Sequence, residues 1–131
     1  MAKLETTASV LRTISDEKSM DLFRTIASEA AVDSETLRNK MKFTRKQYYS
    51  RLSRMVRSGL VKRKSGRYFL TAFGKVVFGS QQTVENALKD YWKLKAIDSL
   101  EISNELPVEE RRKLIDTLLD NQELKGILIK G

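Results

Sequence analysis

The stretch from Thr44 to Gly59, TRKQYYSRLSRMVRSG, holds the side chains whose types and spacing are best suited to a chemical task. Drawn as a helix that turns about 100° per residue, it has one apolar stripe, made of Tyr48, Leu52, Met55 and Val56. Its opposite face carries Lys46, Gln47, Ser50, Arg54 and Arg57, with Arg51 at the edge. Such side chains form hydrogen bonds with phosphates and base edges in a DNA major groove. Most basic amphipathic helices are solvated surface helices, so this pattern alone leaves both interpretations open.

The distribution of charge favours the DNA interpretation. The chain has 131 residues and a net charge of +8. Between Thr36 and Val84 there are thirteen Lys or Arg and no Asp or Glu, whereas the remaining residues hold twelve basic and seventeen acidic side chains, a net charge of −5. A confined basic block of this kind is expected of a nucleic-acid surface. The alternative is a basic patch that serves solubility.

Catalytic and metal chemistry have few candidate residues. Cysteine and histidine are absent, which removes disulfides, zinc-finger ligands and the commonest general base. Gly74 and Gly79 do not form a phosphate-binding loop, because no Lys-Ser or Lys-Thr follows them. We therefore expect no enzyme, no cofactor and no metal. No apolar run is long enough to span a bilayer and no signal peptide is evident, so we expect a cytoplasmic protein without a membrane partner.

Three helices and a hairpin are predicted around the basic stretch. DEKSMDLFRTIASEA has the apolar spacing of an amphipathic helix, and Asp33-Ser34 begins a second, short helix that buries Leu37 and Met41. Thr44 caps the basic helix, and Ser58-Gly59 ends it. Two strand-like runs, Leu60-Val61 and Tyr68-Phe69-Leu70, then flank KRKSGR, whose Ser-Gly pair suits a tight turn.

This order is that of a winged helix-turn-helix domain over residues 15–71, with the recognition helix at 44–58 and a basic wing at 62–67. The hairpin could instead be an ordinary surface turn. Residues 1–14 form either an arm or a short helix.

From Thr71, a helix cap, one long helix is predicted over about residues 72–100, roughly 40 Å in length. Gly79-Ser80 could kink it. Its apolar stripe predicts dimerisation through Phe73, Val77, Val84, Leu88, Tyr91 and Leu94. The alternative is that the short helices after Pro107 cover this stripe within one chain. Residues 72–131 are therefore predicted to form a helical dimerisation region.

Three segments resemble small archaeal winged-helix transcriptional regulators: FTRKQYYSRLSRMVRSGLVKRKSGRYFLTAFGKVV, NALKDYWKLKAIDSLE and LPVEERRKLIDTLLDNQELKGIL. The resemblance runs from about Ser15 to the C-terminus. It implies that Arg45, Lys46, Gln47, Tyr49, Ser50 and Arg51 face DNA and that Lys64 to Arg67 form the wing. Without His or Cys, a metal inducer of the kind that some such repressors sense is not expected.

We therefore expect a mainly α protein with a small β-hairpin: a homodimeric, sequence-specific regulator that binds double-stranded DNA. The effector, the operator and the direction of regulation stay open. The rival hypotheses are a winged helix used for protein interaction in transcription machinery, and an architectural chromatin module. The predicted DNA-binding residues are Thr44, Arg45, Lys46, Gln47, Tyr49, Ser50, Arg51, Arg54, Lys62, Lys64, Ser65, Gly66 and Arg67.

Overall fold

The computed structural model describes residues 5–28, 33–103 and 106–130. Within these ranges the chain forms eight helices and one two-stranded antiparallel hairpin. The prediction of a mainly helical fold with a small hairpin is confirmed. The elements are α1 (Thr7–Thr13), α2 (Glu17–Ser28), α3 (Ser34–Met41), α4 (Arg45–Arg57), β1 (Val61–Lys64), β2 (Arg67–Leu70), α5 (Ala72–Lys89), α6 (Tyr91–Ser103), α7 (Val108–Leu118) and α8 (Gln122–Lys130). None of the described helices is both long enough and apolar enough to cross a membrane.

The chain divides into two compact units, Met1–Gly79 and Ser80–Gly131, which we call unit 1 and unit 2. The boundary lies inside α5. The first part of α5 belongs to unit 1 because Val77 and Phe78 pack against its core, where the Phe78 ring meets the Phe23 ring edge-on at 6.2 Å. The predicted DNA-binding domain at 15–71 and dimerisation region at 72–131 stay predictions.

The core of unit 1 draws on every element from α1 to β2. Its buried residues are Val10, Ile14, Leu22, Phe23, Ile26, Leu37, Phe43, Tyr48, Leu52, Met55, Leu60, Val61 and Tyr68. The N-terminal segment, whose form the sequence left open, contains a helix, α1, that packs against α4 through this core. Residues 1–4 of the predicted arm lie outside the described ranges.

Local capping explains where α3 begins and ends and where α4 begins. The Asp33 carboxylate accepts a hydrogen bond from the Thr36 backbone N–H at 2.9 Å. Thr44 and Gln47 form a capping box, each side chain bonding the other's backbone N–H at 3.1 Å. Between the two helices Lys42 takes the left-handed conformation (φ 56°) that glycine usually supplies in such turns.

The hairpin has the predicted tight turn. Ser65 and Gly66 both have positive φ, at 52° and 76°, which is the backbone of a type I′ turn. Val61 pairs with Leu70, and Lys64 pairs with Arg67 beside the turn. A backbone bridge between Asp33 and Arg67 joins the hairpin to the start of α3.

Thr71 and Gly74 fix the start of α5 against the end of α4 and the start of β1. The Thr71 hydroxyl donates to the Gly59 carbonyl and accepts from the Gly74 backbone N–H at 2.8 Å, so Thr71 caps α5 as predicted. A Cβ added at Gly74 would lie 2.0 Å from the Leu60 carbonyl oxygen. Only glycine therefore fits at this close approach.

Unit 2 has a small core of Ile97, Ile115, Leu119 and Leu124. The predicted single long helix is wrong, because the chain is divided at Asp90 into α5 and α6, while Gly79-Ser80 lies inside α5. The Asp90 N–H donates to the Asn86 carbonyl, and the Asp90 carbonyl accepts from the Leu94 N–H. Aspartate is unfavourable inside a helix and favourable at its start, which explains a break at this residue.

Candidate nucleic-acid interface

Helix α4 separates a buried face from a polar one. The capping box described above fixes its first turn, and the Ser58 backbone N–H, which donates to the Arg54 carbonyl at 2.9 Å, closes its last turn. Tyr48, Leu52 and Met55 are buried in the unit 1 core, as predicted. The prediction for Val56 is wrong: this side chain is 43% exposed. The core reaches only part of the way around α4, so the fourth apolar position lies outside it.

The opposite face of α4 is open to solvent. Lys46, Ser50, Arg54 and Arg57 are all exposed, and so are Thr44 and Arg45 at the start of the helix. Arg57 lies on this face as predicted, although it is not one of the predicted DNA-binding residues. The face thus presents cations and a hydroxyl on a helix whose other side is firmly anchored.

Two of the predicted DNA-facing residues are occupied within the protein. The Gln47 side chain belongs to the capping box with Thr44. The largely buried Arg51 guanidinium donates to the Gln47 carbonyl at 3.3 Å, lies 3.5 Å from the Asp16 carboxylate, and sits 5.4 Å from the centre of the Phe43 ring. Arg51 therefore joins α4 to the start of α2, a role that the sequence spacing did not reveal.

The hairpin distributes its cations over two faces. Side chains alternate along a strand, so the cross-strand pairs Lys62–Phe69 and Lys64–Arg67 lie on one face, and Arg63–Tyr68 lies on the other. Lys62, Lys64, Arg67 and the turn residues Ser65 and Gly66 are exposed. Two cations directly opposite each other, as in Lys64–Arg67, disfavour strand pairing. The Asp33 carboxylate, whose pKa the Arg67 charge helps to lower, offsets part of this repulsion.

The fold brings two acids from outside the basic block to its edges. Asp16 lies beside Arg51. Burial raises the pKa of the Asp16 carboxyl, but hydrogen bonds from Ser19 and the Arg51 charge together bring it below its ordinary value. Hydrogen bonds from the Thr36 backbone and hydroxyl, with the Arg67 charge, lower the pKa of Asp33. The block is acid-free in sequence, but Arg51 and Arg67 each have a carboxylate neighbour in space.

Tyr49 lies on the hairpin side of α4. It is half exposed, and its ring meets the Tyr48 ring edge-on at 5.1 Å. On the hairpin, Tyr68 lies across from Tyr49. Both side chains, together with Val56, line the same shallow groove. Burial raises the pKa of the Tyr68 hydroxyl, although the nearby Arg63 acts to lower it. The Tyr68 hydroxyl therefore stays protonated at neutral pH.

The predicted dimerisation stripe is divided by the fold. Val77 and Leu94 are partly buried against the cores of unit 1 and unit 2, respectively. Phe73, Val84, Leu88 and Tyr91 are exposed, by 48%, 60%, 65% and 46%. Trp92, which follows Tyr91 at the start of α6, is 76% exposed. Val84 and Leu88 lie one turn apart on α5, and the Tyr91 and Trp92 rings at the start of α6 meet edge-on at 5.3 Å.

Comparison with known proteins gives one likeness. No protein-family model matches this chain, and no curated protein matches it. The solved structure of the activation domain of the phage T4 transcription factor MotA is similar, with a TM-score of 0.53 and 15% identical residues, over 66% of this chain and 95% of that one. At this identity the likeness shows the fold alone. The resemblance to archaeal winged-helix regulators stays a prediction, because no family match supports it.

Proposed function

We propose that unit 1 is a winged-helix domain that binds double-stranded DNA and regulates transcription. The observation that carries the proposal is the pair of exposed cationic elements in this unit: the outward face of α4 and one face of the hairpin. In the proposed complex α4 lies in the major groove and the hairpin contacts the phosphate backbone. The function is one of binding and needs no catalytic step, cofactor or metal.

The proposed contacts differ along α4 and the hairpin. Lys46 and Ser50 lie on the outward N-terminal half of α4, the part of a recognition helix that reaches base edges. Arg54 lies one helical turn further on and, like Lys64 and Arg67, is suited to phosphates. Arg51 contributes by fixing α4 against α2. Gln47 reads bases only if it leaves the capping box, so we assign the reading role first to Lys46 and Ser50.

Charge-neutralising variants test the proposal. Lys46→Gln combined with Arg54→Gln should weaken binding to a labelled duplex by about tenfold or more at low salt, because two phosphate or base contacts are lost. The matched control is Arg112→Gln combined with Lys113→Gln, two exposed cations of α7 in unit 2. Fluorescence anisotropy measures both. Equal weakening in the two variants would contradict the assignment of the surface to unit 1.

We further propose that the protein is a homodimer through unit 2. Four exposed side chains, Val84, Leu88, Tyr91 and Trp92, support this, because so many neighbouring apolar groups are unusual on a monomer. A two-fold dimer presents two recognition helices to an inverted repeat, with half-sites about 34–36 Å apart. Within unit 2 these four side chains stay exposed, so the helices after Pro107 leave them uncovered.

A second candidate function is protein interaction in transcription. One observation favours it: the similar solved structure is described as the activation domain of a transcription factor. The two candidates differ in what unit 1 binds first. Tight duplex binding that falls with salt supports the DNA proposal, whereas failure to bind any duplex at low salt would favour the interaction module.

A further inference from the structure

A groove runs between α4 and the hairpin. It has a volume of about 320 Å³ and is lined by Tyr49, Leu52, Ser53, Val56 and Arg57 from α4 and by Arg63 and Tyr68 from the strands. We call it the α4–hairpin groove. Its floor is apolar, since Leu52 and Tyr68 are buried, and Tyr49 and Val56 form a half-exposed apolar wall. The groove is therefore large enough for one or two apolar side chains.

The rim of the groove is cationic. Arg57 stands on the helix side and Arg63 on the strand side, where its guanidinium lies 5.9 Å from the centre of the Tyr68 ring. This distance allows a cation–π interaction that leaves the guanidinium edges open to an acid. No carboxylate is among the lining residues that the structure describes. The groove thus combines an apolar floor with a positive rim.

The groove and the proposed DNA-reading face share an edge at Arg57, but the apolar wall of the groove lies on a different side of α4. At about 100° per residue, Tyr49 and Val56 lie roughly a quarter turn around the helix from Lys46 and Ser50. A duplex offers phosphates and base edges, which satisfy the cations but not the apolar wall. The exposed Val56 and Tyr49 therefore lack a counterpart in the DNA complex proposed above.

We propose that the α4–hairpin groove binds an acidic amphipathic helix of a partner protein. Two apolar side chains of such a helix, spaced one turn apart, fill the groove over Leu52 and Tyr68. Glu or Asp side chains beside them pair with Arg57 and Arg63. Charge complementarity therefore requires that the partner helix be acidic. This inference does not depend on DNA binding by the outward face, so either proposal can fail without the other.

Synthetic peptides test the groove directly. The probe is a labelled peptide of about 16 residues, long enough to form a helix, made of Glu and Ala with one Leu and one Phe four positions apart. A second peptide replaces Leu and Phe with Ser, and a third replaces every Glu with Lys. Fluorescence anisotropy at about 50 mM salt should show binding of the first peptide only. Binding of the Lys peptide as tight as that of the Glu peptide would overturn the proposal.

Matched variants locate the binding. Val56→Ser should weaken binding of the acidic peptide by about tenfold, the factor expected when one valine side chain is lost from an interface. Val108→Ser is the control, because Val108 is also an exposed helical valine, 74% exposed in unit 2. Arg63→Gln should likewise weaken peptide binding, and Arg112→Gln is its control. Circular dichroism on each variant checks the fold, and amide chemical-shift mapping on the wild type should show changes centred on Val56 and Arg63.

The outcomes separate the two proposals. If Val56→Ser and Val108→Ser bind the peptide equally, or if the shift changes fall elsewhere, the groove proposal is wrong. If no peptide binds while Val56→Ser and Arg63→Gln both weaken every duplex tested, the groove belongs to the DNA surface and the peptide proposal is again wrong. Duplex binding unchanged in Val56→Ser, with peptide binding lost, supports both.

Discussion

The two units of this protein differ in what they bury and what they leave exposed. Residues 1–79 hold 17 cationic and 7 acidic side chains, a net charge of +10, whereas residues 80–131 hold 8 and 10, a net charge of −2. Unit 1 buries apolar side chains from all six of its complete elements. Unit 2 buries a core of four and exposes Leu88, Trp92 and Val108.

The two units therefore present different kinds of surface, one charged and one apolar. In unit 1 a complete core holds α4 and the hairpin in place, so that the outer surface is free to carry like charges that a less well-packed unit would not tolerate. In unit 2 the small core leaves apolar side chains in solvent, where their burial against another molecule is favourable. Under the proposals above, charge is the main determinant of DNA binding by unit 1, and exposed apolar area is the main determinant of dimerisation by unit 2.

The largest effect should follow a change in the unit 1 core. Leu52→Ala removes a buried side chain and should lower the free energy of unfolding by about 2–5 kcal/mol. Leu88→Ala makes the same chemical change at an exposed site of unit 2 and should alter stability by less than about 0.5 kcal/mol. Urea denaturation at low protein concentration measures both. Similar losses in the two variants would remove the contrast between the units.

A charge placed in the apolar surface of unit 2 should dissociate the proposed dimer. Val84→Glu puts a carboxylate beside Leu88 and Tyr91, where burial against a second copy would cost several kcal/mol. We expect a wild-type dimer at micromolar concentration and a monomeric variant that keeps its helicity, both measured by sedimentation equilibrium. Ser80→Glu, at an exposed non-apolar position of α5, is the control. A wild-type protein that is monomeric would contradict the dimer.

Changes on the unit 1 surface should separate reading from positioning. Ser50→Ala should alter preference among duplex sequences by about 1–3 kcal/mol, because one base contact is lost. Arg67→Ala should lower the affinity for all duplex sequences by the same factor, because the proposed wing contacts phosphates, which are the same in every sequence. Gln47→Ala also removes half of the capping box, so its effect on DNA must be compared with its effect on stability. An unchanged sequence preference in Ser50→Ala would place the reading face elsewhere.

The smallest effect concerns the acid that anchors Arg51. Because the folded state lowers the pKa of Asp16 below its ordinary value of 3.8, the ionised carboxylate stabilises the fold above that pH, and this contribution is lost as pH falls through the lowered value. Between about pH 6 and about pH 3, the free energy of unfolding should therefore fall less in Asp16→Asn than in wild type. Asp98→Asn, at an exposed site of unit 2, is the control. Identical pH profiles for wild type and Asp16→Asn would contradict the role of this contact.

The sequence predicted those features that depend on local chemistry. The Thr44 cap, the glycine that ends α4 and the Ser65-Gly66 turn are set by neighbouring residues, so the bounds of α4 and the position of the hairpin turn followed from them. The strands extend further toward the turn than predicted, to Lys64 and from Arg67. The mainly helical fold with a small hairpin followed from apolar spacing. These signals act within a few residues and are visible without the tertiary structure.

Other features depended on what each element packs against. Helical spacing put Val56 with the buried stripe, but the core ends before it. Spacing put Arg51 at the edge of the outward face, yet α2 places Asp16 beside it. The break at Asp90 was missed because the apolar spacing continues across it. Val10 in α1 and Ile14 just after it are buried in the unit 1 core, and this burial depends on the elements that pack around them, α4 among them.

The salt dependence of duplex binding tests the central claim most directly. If the cations of α4 and the hairpin neutralise about six phosphates, the logarithm of the association constant should fall with the logarithm of salt concentration with a slope of roughly −5. Fluorescence anisotropy between about 50 and about 200 mM salt, with wild type and with Lys64→Gln, measures the slope and its expected reduction by about 1. A slope near zero, or one that Lys64→Gln leaves unchanged, would contradict the assignment of unit 1 to DNA.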